Sequence, residues 1–401
     1  MRGDDLLART QVRTVTIGFN LESPFREDPV LQAADQGVRA KQLLEEHGFQ
    51  VQGARLCTQP FPEYVGGLET GDVLNYFRAL QTVLGRSSIY ACGIGPIRAS
   101  HWDAERRFVD LLPELLAQNP SLAATIDVLD DAGRPHDLAC RAAAEVTLAA
   151  SRISADGTAN LHFAALASCP PNTPFFPAAY HSGGRSGLSV GLQSAAMVQR
   201  AFKKDVGLDD AEDILTEMLS GYCTALEGAV QEVAGELGLE YLGIDLSPAP
   251  GKEASIADAV EQLSKKPVGE PGTLSVLRLI TNALARVPVK RCGYSGLMIP
   301  VLEDVGLALR NVEGYFDIPS LLSYSSVCGT GLDTIPIPGD SDPEVVAALI
   351  RDVASLSAKL HKPLSARLFP IPGLRAGEIT NFRHRVLVNT AVMGLSLRRT
   401  R

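Results

Sequence analysis

No stretch of the chain approaches the roughly eighteen consecutive apolar residues that a membrane-spanning helix needs, so none is expected. Paired cysteines are absent too. Cys57, Cys92, Cys140, Cys169, Cys223, Cys292 and Cys328 stand too far apart for a CxxC arrangement, which excludes a zinc knuckle and a thioredoxin-like redox motif. An odd, scattered set of thiols fits a reducing compartment. Met1-Arg2-Gly3-Asp4-Asp5 lacks the apolar core of a signal peptide, and no usable Asn-x-Ser/Thr acceptor occurs. The expectation is a cytoplasmic protein. Positive charge is scarce: 37 Lys and Arg against 46 Asp and Glu give a net charge of −9, which argues against a nucleic-acid footprint. The one basic cluster, Arg398-Arg399-Thr400-Arg401, ends an apolar segment, where cations complement a helix C-terminus. There is no GxxxxGK[ST], HExxH or GxSxG. Gly93-Ile94-Gly95 lacks the third glycine of a nicotinamide-dinucleotide fingerprint.

What the chain does have is alternation. Short apolar or β-branched runs at Val12–Phe19, Gln50–Cys57, Ser88–Ile94, Thr125–Leu129, Leu161–Ala167, Gly187–Leu192, Tyr241–Asp245, Gly296–Val301, Leu321–Val327 and Leu364–Phe369 predict strands. Between them lie helical stripes. Val73, Leu74, Phe77, Leu80, Val83 and Leu84 form one that stops at Gly85, and a second runs from Ile214 through Leu215, Leu219, Tyr222 and Leu226. Pro343–Leu360 is a third. This order predicts parallel strands with crossover helices, buried on both faces. No linker or repeat divides the 401 residues, and the Pro267–Gly272 interruption is expected as a surface loop, so one large α/β domain is the expectation. An eight-stranded barrel and an open doubly wound sheet both leave some of these strands unused.

Polar strand ends mark where chemistry would sit. Ser325-Ser326-Val327-Cys328-Gly329-Thr330-Gly331-Leu332-Asp333, running on to Asp340, strings a thiol, a hydroxyl, two carboxylates and glycines after an apolar run. Cys328 is the candidate nucleophile or proton donor, with the Gly329-Thr330-Gly331 amides holding developing negative charge. Small apolar filler is the competing reading of that thiol. The proline-rich Ser168–His181 segment presents Asn172, Tyr180 and His181, and His181 is the candidate base for Cys328. Asp333 is the candidate orienting acid. Arg185 beside the Ser182–Gly187 glycines suits an anion. Asp245 and Ser247 close one strand, and Glu303 with Asp304 closes another. Asp304 is equally a helix first-turn acid. Asp333, Asp340, Glu303 and Asp304 supply the oxygens for a hard divalent cation, without a spacing signature.

The runs VCGTGLDTIPIPGD, CPPNTPFFPAAYH, GYSGLMIPVLED and FPIPG, in order across Val12 to about Arg385, resemble the domain of unknown function 711 family. The resemblance implies a fold similar to pyruvate formate-lyase and ribonucleotide reductase. That fold is a ten-stranded α/β barrel of two five-stranded halves with a central cysteine, here Cys328, on a loop inside. A core over about residues 12–385 would then precede a C-terminal helix over 384–398. The chain lacks the Arg-Val-x-Gly-Tyr glycyl radical motif, so the chemistry expected is non-radical thiol and acid–base catalysis on a small polar metabolite, an amino acid or carboxylate. The alternative is a non-catalytic ligand-binding or regulatory protein that retains the barrel. The partners expected are a small-molecule ligand, a second copy in a homodimer, and, from the resemblance, a small amino-acid-binding regulatory domain protein. Substrate and cofactor are not specified by the sequence.

Overall fold

The computed structural model describes residues 11–203, 206–251 and 254–395. Nine strands form one sheet: β1 (Gln11–Phe19), β2 (Ala54–Thr58), β3 (Cys92–Arg98), β4 (Leu122–Asp127), β5 (Phe163–Ala167), β6 (Gly187–Gln193), β7 (Glu240–Asp245), β8 (Gly331–Pro338) and β9 (Leu364–Ile371). Their order is β7-β6-β1-β2-β3-β4-β5-β9-β8. The strands β1 to β5 run parallel, and so do the pairs β6–β7 and β8–β9. Antiparallel pairing occurs at two junctions, β1 with β6 and β5 with β9. The amino ends of the first five strands therefore share an end of the sheet with the carboxyl ends of the other four.

The outer faces pack on helices. Val15 and Ile17 of β1 are fully buried, and Gly37 of helix α1 (Asp28–Glu46) allows that helix to lie against the Ile17 side chain. The helical stripes read from the sequence form α2 (Thr70–Leu84), α3 (Leu208–Glu236) and, further on, the helix Pro343–Leu360. Burial on both faces accounts for strands that read as continuous apolar runs. The inner faces carry small residues, and the Ser168–His181 segment fills the space they leave. Thr16 of β1 donates to the Pro174 carbonyl at 3.1 Å, and the His181 amide donates to the Thr58 carbonyl at 2.8 Å. A side chain at Gly191 of β6 would collide with the Phe175 ring.

Three expected elements differ. Leu321–Val327 is not a strand: Leu321–Ser325 belongs to helix α4 (Ile318–Ser325), and Ser326 and Val327 lie in the turn after it. Asp317 caps this helix by accepting from the Ser320 amide at 2.9 Å, and a proline occupies its first turn. The following Gly331–Pro338 run, expected as a turn at a site, is β8 itself. Gly296–Val301 makes only isolated bridges: the segment from Arg291 to Pro300 runs between the edge strands β7 and β8, bridged to Ile244 and to Asp333. Among the described residues there are thus nine strands, in a sheet that no tenth strand closes. Finally, residues 384–395 are not helical. The Thr380 amide donates to the Thr390 carbonyl, the Thr390 amide donates to the Thr380 hydroxyl, Asn389 accepts from the Phe382 amide, and the segment folds back on itself. Residues 396–398 of the expected helix, like the Arg398–Arg401 cluster, lie outside the described residues.

Candidate functional site

A cavity of about 330 Å³ opens inside the sheet, at the low end of the ~300–1,000 Å³ usual for small-ligand pockets. It lies at the amino ends of β1 to β5, where Arg13, Arg55, Tyr90, Pro120 and His162 face it, rather than at their carboxyl ends. The second half adds Ala249, Tyr294, Met298, Glu303, Thr330, Asp333, Ser365 and Arg367. Phe175, Phe176 and Pro177 of the inner segment form one wall, and His384 and Arg385 reach the cavity from the C-terminal segment.

Two irregular ladders aim charges inward. The β1–β6 register slips between Val12 and Thr14, making Arg13 the extra residue, and the β8–β9 register slips between Leu332 and Ile335, beside Asp333. Bulges of this kind re-aim side chains next to functional sites. The Arg367 guanidinium binds Asp333 Oδ1 at 2.8 Å through Nε and Glu303 Oε1 at 2.7 Å through a terminal nitrogen. Burial works against the Arg367 charge, but the two carboxylates outweigh it and keep the group protonated. Burial pushes the Asp333 carboxyl up, Arg367 pulls it back, and Glu303 adds to the rise. Glu303 also lies 3.8 Å from Arg13, whose own charge is weakened by burial.

Arg55 differs from these. Its Nε donates to the Tyr90 hydroxyl at 2.9 Å, and its guanidinium stacks over the Phe176 and Tyr90 rings at 5.0 and 5.5 Å. Among the described residues it has no carboxylate partner, so its two terminal nitrogens keep a free fork of donors. Burial is also the main cause that lowers the His162 imidazole below its ordinary range, and the nearby His384, Arg367 and Arg55 charges reinforce it. A backbone hydrogen bond with Leu122 opposes the shift. A neutral imidazole donating to that carbonyl leaves its other nitrogen as a lone pair.

Of the residues the sequence singled out, the structure brings Thr330, Asp333 and Glu303 together at this cavity. The rest lie elsewhere. Cys328 is fully buried in the main hydrophobic core, and its carbonyl takes the Lys362 ammonium. His181 is also fully buried, with its ring bonded to Asn20, Arg185 and Gly183. The geometry thus commits each to other partners, and no described lining residue is a cysteine. Gly329 and Gly296 let two backbones cross so closely that a side chain on either would strike the other, and the Gly329 amide bonds the Leu297 carbonyl at 2.8 Å. Gly331 adopts φ +86° against the Ser365 backbone. Asp245, fully buried, accepts from Ser247, from the Tyr294 amide at 2.8 Å and from the Ser295 amide at 2.9 Å, so it anchors the turn that carries Tyr294. Ser247 completes that anchor by accepting from the Gly296 amide. Asp304 is an N-cap, accepting from Leu307, Ser255 and Ile256. Asn172 at φ +67° and Tyr180, donating to the Cys169 carbonyl, brace the inner segment, while Asp340 and Arg185 are exposed. Among the described residues no three His, Cys, Asp or Glu groups are placed to share a metal ion.

Sequence reasoning missed Arg13, Arg55, Arg367 and His162. A signal was there: each arginine interrupts an apolar strand, in QVRTVTIGF, ARLCT and LSARLFPI. A charge in a strand buried on both faces needs a partner or a ligand.

A family model described as "Uncharacterised ACR (DUF711)" matches residues 7–385. A "UPF0210 protein" of Pyrobaculum islandicum is 34% identical over 407 aligned residues, covering 93% of this chain and 88% of that one. Another from Desulforudis audaxviator is 28% identical, covering 92% and 88%. Among solved structures, the anaerobic ribonucleotide reductase of Thermotoga maritima, crystallised with citrate in its active site, aligns with 89% of this chain and 80% of that chain. The TM-score is 0.37 and the identity 9%.

Proposed function

The chain belongs to the DUF711 family, and we propose that it is an enzyme whose central cavity binds a small organic carboxylate and moves a proton on it. One observation carries this reading. The acids facing the cavity, Asp333 and Glu303, are already matched by Arg367 and Arg13, whereas Arg55 presents an unpaired guanidinium fork. Aromatic faces hold that fork in place, so little side-chain freedom is lost when an anion docks. Bidentate pairing of guanidinium with carboxylate supplies both energy and orientation.

His162 is the proton carrier in this reading. His162 lines the cavity, and an imidazole kept neutral by burial, with one nitrogen engaged at Leu122, has a lone pair with which to act as a general base. Thiol chemistry is no part of the proposal, because the cysteines lie away from the cavity lining.

Calorimetry with short carboxylates against wild type and Arg55→Met tests the binding step. Wild type should bind and the variant should not, with the unfolding midpoint unchanged. Carboxylates that bind both proteins equally, or neither, would overturn the reading. Mass spectrometry of a bound ligand after incubation tests the chemistry. Recovery of every ligand unaltered would leave a binding protein without catalysis.

A further inference from the structure

Thr330 is 2% exposed and lines the cavity, yet its Oγ1 has no hydrogen-bond partner in the protein. Its backbone is not free: the Thr330 carbonyl accepts from the Ser365 amide at 2.9 Å and from the Ser365 hydroxyl at 3.1 Å. Those bonds fix the Thr330 backbone at the cavity wall and leave its buried hydroxyl unanswered, which is costly unless something supplies the missing partner. Ser365 sits two residues before Arg367 on β9, one inward step along the strand from the Arg367–Asp333 pair. The corner formed by Thr330 and Ser365 carries no net charge, in contrast to the guanidinium at Arg55.

We infer that the ligand is a carboxylic acid bearing a second oxygen function, an alcohol or carbonyl, which Thr330 Oγ1 receives while Arg55 holds the carboxylate. This rests on the anion reading above and narrows its substrate class. A hydroxyl can donate to a carbonyl or accept from an alcohol, so either oxygen satisfies it. A plain alkyl chain would leave it unpaired, and a site built around such a group discriminates against the analogue that lacks it.

The test uses the full chain and a series of ω-hydroxy carboxylates from glycolate to 5-hydroxyvalerate, each paired with the isostere in which methyl replaces hydroxyl. Calorimetry should show one chain length whose hydroxy member binds roughly tenfold tighter than its isostere. Thr330→Val should erase that difference while leaving the isostere's affinity and the unfolding midpoint intact, and Thr330→Ser should retain it. Equal binding of every pair, or discrimination that survives in Thr330→Val, overturns the inference and leaves the anion reading standing. Failure of every member to bind wild type overturns both.

Discussion

Arg367 Nε lies 2.8 Å from Asp333 Oδ1, and the same guanidinium reaches Glu303, so one buried cation answers two acids from different elements. Removing it strands Asp333 and leaves Glu303 only the more distant Arg13. Arg367→Met should therefore destabilise the fold by about 3–5 kcal/mol in urea unfolding, because uncompensated buried charge dominates the loss. Adding Asp333→Asn to that variant should recover part of the loss. A double variant no more stable than Arg367→Met would refute this account of the pair.

The crossing of Gly296 and Gly329 leaves no room for a β-carbon on either segment. Gly329→Ala must push two backbones apart just before β8, and the expected cost is at least about 2 kcal/mol. Chemical denaturation measures it. A neutral effect would mean that the crossing can relax.

Asp127, at the end of β4, gives a pH test. Burial pushes its carboxyl up to about 6, against the opposing Leu129 amide and Arg98 charge. The folded chain therefore holds this proton more tightly than the unfolded chain, where an aspartate titrates near 3.8. Its contribution to stability is complete below that value and is lost as pH rises through 6. Asp127→Asn, which keeps an oxygen for the Leu129 amide, should then gain on the order of 2 kcal/mol over wild type at pH 7.5 and little at pH 4. Equal gains at the two pH values would sink the assignment.

Cys328 is packed in the core. Cys328→Ala should cost about 1–2 kcal/mol through lost packing and leave carboxylate binding unaltered. In the native protein the thiol should resist maleimide until the chain unfolds, as followed by mass spectrometry. Rapid native labelling would show that the thiol is accessible after all.

Much of the architecture was legible because two-faced burial writes itself as apolar runs and crossover helices write themselves as stripes. The strands β1 to β7 and β9 fall where β-branched or small apolar residues cluster. The exchange of helix and strand around residues 318–338 has a local cause. Asp317 and a proline two residues on start a helix in a run that is apolar enough to pass for a strand, while Gly329, just before β8, serves a backbone crossing and Asp333 of β8 serves an ion pair. The candidate site was less legible. Polar residues at turns drew attention, but Asp245, Ser247 and Asp304 spend their oxygens on backbone amides. The residues that charge the cavity were single arginines inside strands, brought together from β1, β2 and β9 only by the order of the sheet.

The Ser168–His181 segment has a consequence for how relatives of this chain can diverge. It is a plug tethered at both ends, and two of its phenylalanines set the bore of the chamber. Trimming those rings would widen the chamber, whereas enlarging Phe175 would press on Gly191 of β6, so ligand choice can drift toward bulkier molecules on one short insert while the surrounding scaffold stays fixed.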